Sequence, residues 1–432
     1  IRSIILFLYK LSDDLRIQFI FIGWLFGAFI EGTAGFGVPG LLVSPLLVGL
    51  GLSPVHAVSL ALLANTVPVT FGAAGTPIRV GFYDFDNLAI SSYVGVLGFV
   101  MSIVWPVVLL FALTKFLHKD RKYFYSGLFF AVLSGLAFGL PYFFVSRFNQ
   151  DLPTIVGSII GILIMGILVR VFRKPSIEVV LSEKVRDFLQ VTHLDEHLPL
   201  YKTVLPYIFL IGFIIAGRVI PFFDKSSTVY FFNYFSHTFK LFNPGIPFLL
   251  ALGFSTLFLR PQRGDFKLIF KSVFPKLIRT ALLIFLLTGI MQIIISSGIN
   301  SHNQGDMLSF IFKNFHADFA IYSVPLFGSL GAFLSGSATV SNILIGGLTS
   351  SFFSGMETIL PLILAGQLLG ASGGNMISLQ NIITGQLATG SIQNEETSII
   401  KTVFPYFCLY LALATIILFL SLVPSLFGLT SS

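Results

Sequence analysis

The chain has a single cysteine, Cys408, in 432 residues, and only 10% of its residues carry charge. One cysteine inside an apolar run builds neither a disulfide framework nor a cysteine metal site, which excludes redox chemistry and thiolate-bound zinc. With 55% hydrophobic and 15% aromatic residues and a mean hydropathy of +0.91, so little charge also excludes a cytosolic enzyme, because a water-soluble core cannot hide this much apolar surface. No nucleophile–base pair or metal cluster stands in the apolar runs, so no catalytic, metal or cofactor residue is assigned. The chain opens at Ile1 without the charged region and small-residue cleavage site of a signal peptide, and is expected to be an N-terminally incomplete view of a longer protein. The net charge of +7 does not imply a nucleic-acid partner, since the basic residues fall in short loops between apolar runs.

What is abundant is long apolar sequence. About eleven stretches of roughly 15–25 residues recur from end to end, the length a helix needs to cross the ~30 Å hydrocarbon layer. Runs this long, rather than ten-residue alternations, predict an all-α polytopic membrane protein in contact with the lipid bilayer and not a barrel. The loop carrying Arg260, Arg263, Lys267, Lys271, Lys276 and Arg279 against one acid, Asp265, is expected to face the cytoplasm. Counting spans back from it puts Arg147 and Asp151 outside and Lys115, Lys119, Arg121 and Lys122 inside. Residues 173–202 form the one long polar segment, read as a cytoplasmic linker between a first transmembrane half, 1–172, and a second, 203–432. Within it His193-Leu194-Asp195-Glu196-His197 spells H-x-x-E-H, a zinc-protease pattern, but Pro199 follows and no third ligand is evident, so the match is taken as coincidence.

The two halves echo one another. Gly27-Ala28-Phe29-Ile30-Glu31-Gly32-Thr33-Ala34 is matched by Gly331-Ala332-Phe333-Leu334-Ser335-Gly336-Ser337-Ala338, and Gly72-Ala73-Ala74-Gly75 by Gly370-Ala371-Ser372-Gly373. Small residues recur in membrane helices for packing alone, but two matches in one order point to a repeat at about 17–79 and another at about 321–385. Counting spans starts one inside and the other outside, which predicts two inverted-topology repeats with re-entrant or discontinuous helices around a midplane site. Gly, Ser, Thr, Asn and Pro interrupt the apolar runs at Glu31 to Gly40, Asn65 to Pro77, Ser335 to Asn342 and Ser372 to Asn381. Such breaks free backbone N–H groups at half-helix N-termini, which attract carboxylates. The candidate substrate-binding residues are therefore Thr33, Gly35 and Gly37; Asn65, Thr66, Gly75 and Thr76; Ser335, Ser337, Thr339 and Asn342; and Ser372, Gly373 and Asn375. Gly35 to Gly40 also spells G-x-G-x-x-G, which without a preceding strand or a ribose-binding acid does not support a dinucleotide site.

Glu31 is the carboxylate most clearly embedded in apolar sequence, where a charge costs about 2.5–3.5 kcal/mol on insertion scales, and such acids serve proton or ion pathways. It is the candidate proton-coupling residue, against the alternative that it hydrogen-bonds the broken helix together. Arg79, just past the second break, reads as an interfacial anchor or an attractor of anions.

At these residues the chain closely resembles the L-lactate permease family of bacterial secondary transporters. Glu31 to Pro39 is similar to its EGxAGFGxP signature, Asn65 to Ile78 to N-[ST]-x-P-V-x-F-G-A-x-G-x-P-I, and Ser335 to Asn342 to SGSxTxSN. The resemblance covers most of the chain and implies uptake of L-lactate, D-lactate or glycolate in symport with protons across the bacterial cytoplasmic membrane. Where the family commonly reads GKMISPQS, this chain reads Gly374-Asn375-Met376-Ile377-Ser378-Leu379-Gln380-Asn381. If the family's lysine meets the substrate carboxylate, Asn375 keeps a hydrogen bond and loses the charge. The competing readings are Na⁺-coupled transport or exchange of another small organic anion, and an anion channel. Whether the chain forms a homo-oligomer stays open.

Overall fold

The computed structural model describes residues 12–171 apart from 13, 36 and 84, parts of 202–298, residues 317–389 apart from 354, and 395–426. The H-x-x-E-H match at 193–197, the linker over 173–201 and most of the basic loop at 260–279 lie outside the described residues. The contacts divide the chain into two compact units: one of Ile1–Phe7 and His193–Leu282, the other of Leu8–Thr192 and Leu283–Ser432.

The larger unit is helical throughout its described residues. Its elements are α1 (Leu15–Thr33), α2 (Val38–Gly49), α3 (Pro54–Ala64), a 3₁₀ turn at Pro68–Phe71, α4 (Gly72–Arg79), α5 (Asn87–Phe116), α6 (Arg121–Ser146) and α7 (Pro153–Val171). The smaller unit holds a hairpin, β1 (Ser226–Phe231) and β2 (Phe235–Lys240), and α8 (Gly245–Leu259). The larger unit then resumes with α9 (Ala317–Ser335), α10 (Ala338–Phe352), α11 (Leu360–Asn375), α12 (Leu379–Thr389) and α13 (Glu396–Leu426). Among the described residues five helices, α1, α5, α6, α7 and α13, are long and apolar enough to cross a membrane. The bent pairs Pro54–Ala64 with Pro68–Arg79, at 55°, and α11 with α12, at 42°, raise the number to seven if each is one span.

The hairpin departs from the all-α expectation. Ser226 pairs with Lys240 and Phe231 with Phe235 in an antiparallel register. Its strands are rich in the β-branched and aromatic residues that favour a pleated surface, such as Thr228, Val229, Tyr230, Phe235, Thr238 and Phe239.

Within the larger unit one order of elements occurs twice: helix, glycine break, helix, then a helix pair bent at a break, then a long helix. Thus α1–α5 correspond to α9–α13. The packing is reciprocal, because α2 lies on α12 while α10 lies on α4, and α5 lies on α11 while α13 lies on α3. The first sequence echo falls on equivalent ends: α1 closes at Thr33 and α9 at Ser335, each followed by a glycine in the left-handed region, Gly35 (φ 56) and Gly336 (φ 67). The second echo does not. Gly72 to Gly75 follows the break of its pair, whereas Gly370 to Gly373 precedes the other break, inside α11.

The α11 glycines have a packing role. A Cβ on Gly370 would overlap the Pro325 carbonyl and one on Gly374 the Ser329 carbonyl, while one on Gly328 of α9 would overlap the Gln367 carbonyl. This is close helix approach through small residues spaced by four, the means by which helices associate where lipid offers no hydrophobic drive. Gly370→Ala must push α9 away from α11 and is expected to cost about 1–3 kcal/mol or more. Gly166→Ala, at an α7 position where a Cβ meets nothing within 4 Å, should be neutral or mildly stabilising. Thermal unfolding of both variants in detergent checks the contrast.

Candidate functional site

The site is assembled where the breaks meet. α1 passes through a π-helical stretch, Ile20–Phe26, before the α-helical turn Gly27–Thr33 that carries Glu31. π segments are rare and frequently adjoin functional positions. Glu31 is 4% exposed. Its Oε2 accepts a hydrogen bond from Asn65 Nδ2 at 2.9 Å, and its Oε1 lies against Gly72, where any Cβ would overlap it. The carboxylate thus ties the end of α1 to the break after α3. That break is strained: Ala73 (φ 44) and Ala74 (φ 53) occupy the left-handed region with Gly75 (φ 71). Such conformations cost an alanine roughly 1–2 kcal/mol and persist only where surroundings enforce them. Here Gly75 abuts the Gln150 carbonyl and Ala73 packs on Gly35.

Side-chain amides and hydroxyls close the remaining gaps. Asn342 Nδ2 donates to the Pro77 carbonyl at 2.9 Å, joining α10 to α4. Its Oδ1 accepts from Gln367 Nε2 at 3.3 Å, and Gln367 Oε1 accepts from Thr349 Oγ1 at 2.6 Å. Asn381 Nδ2 lies 3.3 Å from the Gly336 carbonyl, 3.0 Å from that of Asn375 and 2.6 Å from Asn375 Oδ1. From outside, Trp105 Nε1 donates to the Leu63 carbonyl at 2.7 Å, and Tyr410 and Ser372 share a hydroxyl hydrogen bond at 2.9 Å. The Trp105 and Tyr410 rings meet edge to face at 4.9 Å.

Two cavities open among these groups, and both repeats line each of them. The first, about 300 Å³ of unfilled space, is bounded by Gly37, Gly40, Ala61, Leu62, Asn65 and Thr66 on one side and by Ser372, Asn375, Met376 and Asn381 on the other. The second, about 270 Å³, is bounded by Glu31, Gly35, Val69, Gly72, Ala73, Thr76 and Pro77, and by Gly336, Ser337, Ala338, Thr339 and Asn375. Asn375 belongs to both. Part of that space is open to solvent, and the enclosed room in each is about that of one water molecule, so a substrate would need the walls to part. Among the described residues no lysine, arginine or histidine lines either one.

The structure brings Glu31, Gly35, Gly37, Asn65, Thr66, Thr76, Ser337, Thr339, Ser372 and Asn375 to the cavity walls. Thr76 and Thr339 hydroxyls approach to 3.4 Å across the second cavity. Thr33 is buried with its hydroxyl bonded to the Phe29 and Ile30 carbonyls, and Ser335 bonds the Gly331 carbonyl. Gly373 sits under the Tyr410 ring, and Gly75 packs on Gln150. Asn342 is fully buried and lies behind the wall, holding α4. Asn381 and Gln367 were not candidates from the sequence: Gln367 is an isolated amide in an apolar run and carries only the weak signal that polar groups at such depth are expensive, while Asn381 stands only as the end of a polar break. Arg79 pairs with Asp151 at 3.6 Å. Gly35 and Gly37 are left-handed break residues, and no strand precedes them among the described residues.

The profile of a family described as L-lactate permease matches residues 1–242 and 232–424. The chain is 28% identical over 370 residues to a protein named putative L-lactate permease from Haemophilus influenzae, a match covering 76% of this chain and 66% of that one. It is 34% identical over 176 residues to the glycolate permease of Escherichia coli, covering 40% and 30% of the two chains, and 28% identical over 355 residues to the L-lactate permease of Streptococcus iniae, covering 79% and 71%. The chain therefore spans under two thirds of the first two relatives. No solved structure matches it.

Asn342→Ala should strand the Pro77 carbonyl and the Gln367 amide in a dry interface and lower stability by about 1–3 kcal/mol. Gln367→Ala in the same background should add less than it does alone, since both belong to one network. A double-mutant cycle by thermal unfolding in detergent measures this.

Proposed function

The chain belongs to the L-lactate permease family, and from that premise we propose that it imports a small 2-hydroxy monocarboxylate, L-lactate or the similar D-lactate or glycolate, by proton symport. Permeases of this family are transporters, and the protein is a multi-pass protein of the bacterial cytoplasmic membrane. The observation that carries the coupling is the place of Glu31, a buried carboxylate on the wall of a cavity to which both repeats contribute and which no basic side chain lines.

Two negative charges in a poorly hydrated cavity repel strongly. A carboxylate substrate therefore enters at least cost when Glu31 carries a proton, and the proton and the anion travel as a neutral pair. Asn65 holds Glu31 through Nδ2 while its Oδ1 is buried without a hydrogen-bond partner beside the first cavity. In this reading Oδ1 accepts the substrate 2-hydroxyl. Ser337, whose Oγ caps the first turn of α10 by accepting from Val340 N at 3.3 Å, and the Asn375 amide face the carboxylate. The two repeats are read as inverted with respect to the membrane, so that rocking one against the other exposes the cavities alternately to each side.

Glu31→Gln keeps the shape and removes the ionisable proton. It should retain substrate counterflow and lose concentrative uptake driven by a pH gradient. One pH unit is worth about 1.4 kcal/mol per proton, or about tenfold accumulation, in the unaltered protein. Both assays are run on the same proteoliposomes, with imposed pH or Na⁺ gradients and a panel of 2-hydroxy acids. Retention of pH-driven accumulation by the Gln variant overturns the assignment of Glu31, and accumulation that follows Na⁺ alone overturns proton symport.

A further inference from the structure

Beside the Asn375 wall lies a cluster of oxygens with too few protons to satisfy them. Asn381 Nδ2 has two hydrogens and three acceptors within reach, the carbonyls of Gly336 and Asn375 and Asn375 Oδ1. Two further oxygens, Ser378 Oγ and Gln380 Oε1, are buried and have no hydrogen-bond partner among the described residues. They converge on one place. A Cβ built on Gly336 would lie 3.0 Å from both, and Gly336 itself is held in the left-handed region at φ 67. Burying an unpaired polar oxygen costs about 1–3 kcal/mol, so two at one point mark a group that the described residues do not supply.

We propose that Gly336, Asn375, Ser378 and Gln380 form a binding site for a monovalent alkali-metal cation. The carbonyls of Gly336 and Asn375 stand at the C-terminal ends of α9 and α11, and each such end carries roughly half a negative charge, which favours a cation. Unwound carbonyls and half-helix C-termini are where broken membrane helices coordinate such ions. Every ligand is a neutral oxygen, and among the described residues no group of three or more His, Cys, Asp or Glu could hold a metal. That donor set suits a singly charged hard cation and not a divalent or transition metal, which would call for carboxylate, imidazole or thiolate. Gly336 and Asn375 also line the second cavity, so the ion would stand beside a space that has no basic side chain. Its role as counter-charge to an anionic substrate rests on the transport reading above; the site itself does not.

The test uses the full chain purified in detergent, with the Tm followed at constant ionic strength as choline is replaced by Na⁺ or by K⁺. A saturable rise with at least one alkali ion and none with choline is expected. Ser378→Ala and Gln380→Leu should each move the midpoint of that titration to at least about tenfold higher ion concentration while leaving the Tm in choline close to that of the unaltered protein, each lost ligand being worth about 1.4 kcal/mol of ion binding. The two ligands come from separate positions, so if one variant fails to fold the other decides. A Tm indifferent to Na⁺ and K⁺, as ordered water at this point would give, or variants that titrate like the unaltered protein, overturn the proposal. No substrate enters the measurement, so its failure is separate from any failure of lactate transport.

Discussion

Every backbone group at membrane depth must find a hydrogen-bond partner inside the protein, and the architecture of the larger unit follows from how that is met at its broken helices. Unbroken helices satisfy themselves. The breaks at 34–37, 65–75, 336–337 and 376–378 do not, and their loose ends are taken up by buried amides. Asn342 reaches the Pro77 carbonyl and Asn381 reaches those of Gly336 and Asn375, while Asn65 ties its break to the Glu31 side chain. Each partner comes from a different element, so satisfying one break fixes where another stands. The same bonds that make irregular backbone tolerable in lipid therefore gather the breaks around two small polar cavities.

Close backbone approach is the second constraint, and it explains the distribution of glycine. Gly72 lets the Glu31 carboxylate lie against the backbone, Gly75 lets the break rest on Gln150, and Gly370 and Gly374 bring α11 onto α9. Close glycine contacts also cross between the repeats, Gly385 against Val58, Gly81 against Asn342 and Gly346 against Phe82, beside the amides, hydroxyls and the Trp105–Tyr410 ring pair. Hydrogen bonds between hydroxyls and amides can be exchanged for others as surfaces slide, but carbonyl-on-glycine packing cannot be loosened gradually.

Much of this was legible in the residues because the physics is local. A glycine or proline in an apolar run signals a lost helical bond, and a glutamate there signals a cost that needs a reason, so the four breaks and Glu31 could be read directly. What depended on tertiary partners could not. Gly370 to Gly373 differs from Gly72 to Gly75 only by Ser372 in place of Ala74, yet one is a helix-packing face and the other a left-handed break, and the neighbours Pro325 and Gln150 distinguish them. Asn342 reads as a ligand because it follows a serine-rich break, but its amide is spent behind the cavity wall. Asn381 and Gln367 are single amides whose importance appears only when the carbonyls they serve come from residues far apart in sequence. The hairpin at 226–240 has neither a break in an apolar run nor an embedded charge to announce it.

The two repeats are alike in order and unlike in charge, and that difference bears on how an anion is handled. Where α1 carries Glu31 in its last turn, beside Gly72, α9 ends in Ser335 beside Gly336 and a set of neutral oxygens. A two-fold arrangement with carboxylates in both halves would repel an anionic ligand from either side, and one with none would leave no titratable group to couple to. One ionisable acid facing one neutral, oxygen-rich break gives an arrangement in which the charge of the cavity changes by one unit with a single proton, while the opposite wall is free to hold the ligand or a compensating cation by dipoles alone. The duplicated order of elements supplies the cavity walls, and the halves diverge at the one acid that lines them, Glu31 against Ser335.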